Sequence, residues 1–290
     1  MTVLADLGRE LGEIAERVGP SVVGIGNRWR GGSGIVIAEN RILTNAHNLH
    51  GGEVAVTFAD GRSSDAKPLG VDTDGDLAVL EADAAGAAPL EPSADAARIG
   101  TPVVALGNPN GHGPRVTFGF VSGLNRSFRG PRGRRVAGAI EHTAPLMPGS
   151  SGGPVVDLDG RLLGINTNRI GNGFYQAIAA DASLMERVAA LGRGEEPRRR
   201  RLGVGLAPAH AARRLRRAVG LPEREGLLVR EVEEGSPSAK AGIAEGDLIV
   251  AAGGRPIATG DDLFEALAAS GPLELTVVRG AEEKQVTVAE

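Results

Sequence analysis

The stretch MPGSSGGPVV, Met147 to Val156, decides how this chain is read, because Ser151 within it is either a nucleophile or a polar residue of a tight turn. Glycine supplies positive φ and serine supplies local hydrogen bonds, so a turn asks for nothing beyond these residues. A nucleophilic serine asks for more: a base to take its proton, an acid to hold that base in the right tautomer, and backbone N–H groups to receive an oxyanion. The rest of the chain has to supply a histidine and a carboxylate at positions that a fold can bring to Ser151.

Two residues stand where such groups are usually presented, at the ends of apolar runs. His47 in ILTNAHNLH follows a strand-like run and precedes a Gly-rich turn, and Asp76 in TDGDLAVLEA enters the run that follows it. Asp72 and Asp74 share that turn and read as solvated. His50, His112 and His142 read as surface or loop histidines, and no His/Asp/Glu spacing suggests a metal site. GSSGG also fits the G-x-S-x-G elbow of an α/β-hydrolase, whose order is Ser, acid, His. After Ser151 the only histidine is His210, far into the C-terminal part, and strand–helix alternation is missing. The order His47, Asp76, Ser151 is the chymotrypsin-like one.

Outward from these residues the pattern is mainly β. Between residues 21 and 179, short apolar or alternating runs such as SVVGIG, SGIVIA, EVAVTF, LAVLEA and TPVVALG are separated by turn signals, which favours a barrel or sandwich. Asp159 and Gly160 in VVDLDGRLLGI mark a hairpin. Helical spacing appears in DASLMERVAAL and in the first twenty residues, where Leu4, Leu7, Leu11, Ile14 and Val18 form a stripe. The organisation expected is an amphipathic helix over 1–20, an all-β domain, barrel or sandwich, over 21–191, a charged linker over 192–200 and a small α+β domain over 201–290.

Composition narrows the function classes. A net charge of −4 over 290 residues gives no electrostatic reason to expect nucleic acid or anionic lipid, and the arginines of RGPRGRR and EEPRRRR read as a solvated loop and a linker. The absence of cysteine excludes disulfides and thiolate metal sites. No run is long and apolar enough for a membrane span, and the N-terminus lacks the basic and apolar regions of an export signal. The sequence as given places the protein in the cytoplasm, or in the cell envelope if an export signal has been removed.

The blocks GSGIVI, ILTNAH, DLAVL, VVALGNP and PGSSGGPVV, followed by RLGVGL and GSPSAKAGIAEGDLI, resemble the HtrA/Deg serine proteases over nearly the whole chain. The resemblance implies a chymotrypsin-like double barrel followed by a PDZ domain, and a cofactor-free endopeptidase acting on unfolded or exposed protein segments. His47 would be the base, Asp76 its orienting acid and Ser151 the nucleophile, with the N–H groups of Gly149 and Ser151 as oxyanion hole. Trypsin-like pockets carry an Asp six residues before the nucleophile; here that position is Pro145, with Leu146 as a wall, which implies small or medium aliphatic P1 residues. Arg126 either resembles the arginine of the family's sensor loop or is a solvated loop arginine, and GNRWRGGSG is too short to be a long inhibitory loop. In the PDZ domain, Arg201, Leu202, Gly203 and Val204 would take a peptide's C-terminal carboxylate, while Phe264 and Leu267 either line its groove or face the core. The family implies a homo-oligomer, commonly a trimer through N-terminal segments. The chain departs from the family pattern at Ser150, usually Asn, and at Asn48–Leu49, usually an apolar pair. A peptide-binding holdase or scaffold with a vestigial triad is the rival reading.

Overall fold

Apolar runs such as VVALG and LAVL are continuous rather than alternating because their strands are buried on both faces. In the computed structural model, which describes residues 2–26, 31–51, 54–84, 86–195, 201–267 and 271–289, those runs build two closed barrels. The first comprises β1 (Val22–Ile25), β2 (Gly32–Ala38), β3 (Arg41–Thr44), β4 (Val54–Thr57), β5 (Ser63–Asp72) and β6 (Leu77–Glu81), in the order β1-β2-β3-β6-β5-β4. The second comprises β7 (Pro102–Gly107), β8 (Arg115–Arg129), β9 (Arg135–His142), β10 (Pro154–Val156), β11 (Leu162–Gly171) and β12 (Phe174–Ala179), in the order β10-β11-β12-β9-β8-β7.

Alternate residues of each strand divide between two cores. In the first barrel Val23, Ile25, Val36, Ile42, Val56 and Leu80 form one cluster, while Val22, Ile35, Leu43, Leu77 and Val79 join a second. That second cluster also holds Val104, Leu106, Val156, Leu162 and Ile165 of the other barrel, so it packs the barrels together. Fully burying each such side chain contributes about 1.5–3 kcal/mol. The helix α1 (Val3–Val18) adds Ile14 and Val18 to this cluster, and α2 (Ala182–Gly192), capped by Asp181 accepting from Leu184 N–H, adds Leu184, Val188 and Leu191. The N-terminal stripe is therefore split: its last turns pack on the barrels, while Val3 and Leu4 are 84% and 79% exposed.

The chain divides into units Met1–Pro197 and Arg198–Glu290. That boundary falls within the stretch 192–200 expected to be a linker, whose first residue closes α2 and whose residues 196–200 lie outside the described residues. The second unit is a sheet in the order β13-β14-β15-β17-β18: β13 (Val204–Ala207), β14 (Leu227–Val232), β15 (Leu248–Ala252), β17 (Leu273–Arg279) and β18 (Glu282–Val288), with the short β16 (Arg255–Pro256) beside β15. Helices α3 (Ala209–Ala218), α4 (Pro237–Lys240) and α5 (Gly260–Leu267) complete it. Asp247, fully buried, is met by the Arg279 guanidinium at 2.7 Å and 2.8 Å. Burial would raise its carboxyl, but hydrogen bonds from Arg279 and the Ala244 N–H hold it below the usual carboxylate range.

Candidate active site

His47 sits in a single 3-10 turn, Ala46–Asn48, directly after β3, and Asp76 immediately precedes β6, the strand paired with β3. That pairing places the two side chains together: His47 Nδ1 is 2.8 Å from Asp76 Oδ2 and 3.0 Å from Oδ1, and the His47 N–H donates to Oδ1 at 3.1 Å. An ionised carboxylate only accepts, so the proton of neutral His47 lies on Nδ1 and Nε2 is left as the base.

Asp76 adopts φ +57, uncommon for a residue other than glycine, in a turn secured from both sides. Its carbonyl accepts from Asn45 Nδ2 at 2.8 Å. Asp72 accepts from the Gly75 N–H at 2.9 Å and from Arg187 of α2 at 2.8 Å. Asp72 is thus buried and ion-paired, not solvated as its place in a polar turn suggested. Asp76 receives one further donor that the sequence did not reveal: Thr167 Oγ1, at 2.7 Å from Oδ2.

The same Thr167 faces the nucleophile, since Ser151 Oγ donates to its carbonyl at 3.1 Å. The turn around Ser151 is tied to β2 of the other barrel: Ser33 Oγ donates to the Gly149 carbonyl at 2.8 Å and accepts from the Asn108 N–H at 2.9 Å, and the Ser33 N–H donates to the Ser151 carbonyl at 2.7 Å. The approach is close enough that a Cβ on Gly152 would lie 2.0 Å from the Ser33 carbonyl, which explains that glycine of GSSGG. The N–H groups of Gly149 and Ser151 meet no acceptor among the described residues. Ser150 is buried.

A pocket of 260 Å³ opens beside Ser151, lined by Leu146–Ser151, Asn166–Arg169 and Tyr175. Leu146 lines it and packs against the second barrel's core. Pro145 does not; it is exposed, because Ala144 and Leu146 on either side of it pack into the second barrel's core and the residue between them turns out. Among the described residues no carboxylate lines the pocket, and Arg169 is the one charged lining residue. His142, read as a surface or loop histidine, is instead fully buried at the end of β9, stacked on Tyr175 and bonded through Nε2 to Asn166 Oδ1 at 3.0 Å. Burial lowers its pKa to about 4. Arg126, expected in a loop, lies within β8 opposite Ala139 and reaches Glu141 at 3.6 Å. Residues 27–30 of GNRWRGGSG lie outside the described residues.

In the second unit Gly203, at φ +71, turns the chain into β13, which pairs with β14 and has no second strand partner among the described residues. Leu202 is core, not surface, and Arg201 is exposed with its guanidinium 3.5 Å from Glu233. On α5, Leu267 packs against the core and Phe264 is half-buried.

Two barrels with a His–Asp pair and a serine between them, joined to a sheet whose β13 follows a glycine turn, define the chymotrypsin-like fold followed by a PDZ-type domain. Profiles for the trypsin-like peptidase domain and the PDZ domain match residues 32–165 and 228–279. The Synechocystis protein HhoA, named as a serine protease, is 35% identical over 274 residues, covering 89% of this chain and 69% of its own length. HhoB of the same organism is 34% identical, covering 89% and 65%, and a DegP-like periplasmic serine endoprotease of Halomonas elongata is 33% identical, covering 89% and 55%. This chain thus spans roughly half to two thirds of its curated relatives. Among solved structures, the HtrA-type protease AlgW with a decapeptide superposes with TM-score 0.77 at 25% identity, covering 96% of this chain and 97% of its own. The Yersinia pestis serine endoprotease gives 0.73 at 26% identity, covering 96% of each chain. The chain belongs to the HtrA/DegP-like family of serine proteases.

Proposed function

We propose that this protein is a serine endopeptidase that cleaves unfolded or exposed protein segments through an acyl-enzyme, and that its PDZ domain binds C-terminal peptides. The observation that carries the reading is the convergence of His47, Asp76 and Thr167 with the Ser151 turn. For attack, Ser151 Oγ exchanges the Thr167 carbonyl for His47 Nε2 by rotation about χ1, and Nε2 takes the proton as Oγ adds to the scissile carbonyl. The oxyanion goes to the N–H groups of Gly149 and Ser151. Imidazolium, stabilised by Asp76, then protonates the leaving amine, and water repeats the sequence on the acyl-enzyme.

The pocket supports aliphatic P1 residues: Leu146 and Tyr175 supply apolar wall, and among the described residues a cationic P1 would find Arg169 rather than a carboxylate. The AlgW structures hold peptides, and β13 beside Gly203, with no second strand partner among the described residues, suits strand addition by a peptide. The periplasmic naming of DegP-like relatives favours the envelope as the compartment. A fluorophosphonate probe tests the central claim. Wild type should be labelled at Ser151 and degrade casein; Ser151→Ala should do neither while keeping its fold. Casein cleavage retained by purified Ser151→Ala refutes the assignment.

A further inference from the structure

Immediately after His47 the chain carries a polar residue, Asn48, that is 7% exposed. Burying a carboxamide is costly unless its groups are bonded, and here both amide protons have a use. Nδ2 donates to the Ser151 carbonyl at 2.9 Å and to Thr44 Oγ1 at 2.9 Å; Thr44 Oγ1 in turn donates to the Ser33 carbonyl at 2.7 Å. The carboxamide occupies space left by two glycines. A Cβ on Gly32 would lie 2.1 Å from Asn48 Cγ, and one on Gly152 would lie 3.0 Å from Nδ2.

We infer that Asn48 is a positioning residue: its amide holds the Ser151 carbonyl and so keeps the nucleophile and its N–H in register with His47. The inference rests on the serine-protease reading above. The turn from Gly149 to Ser151 is held at its first carbonyl by Ser33 Oγ and at its last by two donors, the Ser33 N–H and Asn48 Nδ2. Ser33 anchors the turn to β2, whereas Asn48 anchors it to the turn that carries the base. Being adjacent to His47, Asn48 is the link that ties the base's own turn directly to the nucleophile. An apolar residue at this position leaves the Ser33 N–H as the one remaining donor to that carbonyl among the described residues and removes the tie.

Two substitutions separate positioning from mere packing. Asn48→Asp keeps the shape but, once ionised, turns a donor into an acceptor facing the Ser151 carbonyl. Asn48→Leu removes the donor without adding charge. Both are compared with wild type for kcat and KM on a fluorogenic peptide and for the rate of fluorophosphonate labelling at Ser151. The expected result is a fall in kcat and labelling rate of about tenfold or more, with KM within about twofold. Activity of Asn48→Asp relative to wild type should recover as pH falls and the carboxyl regains a proton to donate. Equal kcat and labelling in variants and wild type overturn the inference, as does a loss of kcat that only tracks loss of folded protein by circular dichroism. If wild type itself is not labelled at Ser151, it is the protease reading that fails.

Discussion

Acidification should destabilise the first unit through a single buried residue, His142. Asn166 Nδ2 donates to the Pro154 carbonyl at 3.1 Å, which turns Asn166 Oδ1 toward His142 and requires the imidazole to carry its proton on Nε2. Nδ1 is buried without a partner among the described residues, so a second proton would add a charge and a donor where none of them receives it. Burial outweighs the Asn166 hydrogen bond and lowers the pKa from 6.5 to about 4. Above 6.5 both the folded and unfolded states hold His142 neutral, and its burial has no proton-linked cost. As pH falls below that value the unfolded chain takes up a proton that the folded one refuses, and stability drops by about 1.4 kcal/mol per pH unit. The loss reaches about 3 kcal/mol near pH 4 and then levels off, which lowers Tm by roughly 10 °C for a unit of this size.

The assay compares urea unfolding of Ser151→Ala with that of the double variant that also carries His142→Gln, at matched ionic strength. The first substitution prevents self-digestion, and glutamine keeps an amide donor for Asn166 but does not titrate. Tyr175, the chain's one tyrosine, is buried in the first unit against His142, so its near-ultraviolet signal follows that unit. Other carboxylates titrate alike in both proteins and cancel. The stability difference between the two should shift by about 3 kcal/mol in favour of the glutamine variant between pH 6.5 and 4. A difference that stays flat across that range refutes the reasoning.

Two further outcomes bear on recognition. Mass spectrometry of casein digests should show cuts mainly after Val, Ala or Ile, because no carboxylate lines the pocket among the described residues; a majority after Arg or Lys would contradict the pocket assignment. The full-length Ser151→Ala chain should bind peptides with an apolar C-terminal residue, and amidating that terminus should weaken binding about 10- to 100-fold, the worth of hydrogen bonds to a charged group. Calorimetry giving equal affinity for free and amidated peptides would show that the Gly203 turn does not read carboxylates. Amidation is a cleaner perturbation than filling Gly203, where a Cβ would lie 2.4 Å from Ser236 Cβ and φ is already positive.

Local patterning carried much of this protein. Apolar runs bounded by turn residues announced the β-rich first unit, the Asp159–Gly160 hairpin and the helical run after Asp181, because strand and turn preferences act over a few residues. The order His47, Asp76, Ser151 and the glycines around the serine named the candidate reacting groups for the same reason. What surrounds those groups was not legible, because it is set by residues far apart in the chain. Thr167 meets Asp76 across 91 positions, Arg187 meets Asp72 across 115, and Ser33 meets Gly149 across 116. No periodicity marks them; each is an ordinary polar residue until barrel closure brings its partner within hydrogen-bonding distance. Likewise His142 and Asp72 became buried, Pro145 exposed and Arg126 part of a strand through packing, which decides which face of an extended run turns inward. The sequence by itself determined the strands, the turns and the candidate reacting side chains; the tertiary structure alone decided which polar groups hold them in place, because those contacts exist only once the two barrels close and meet.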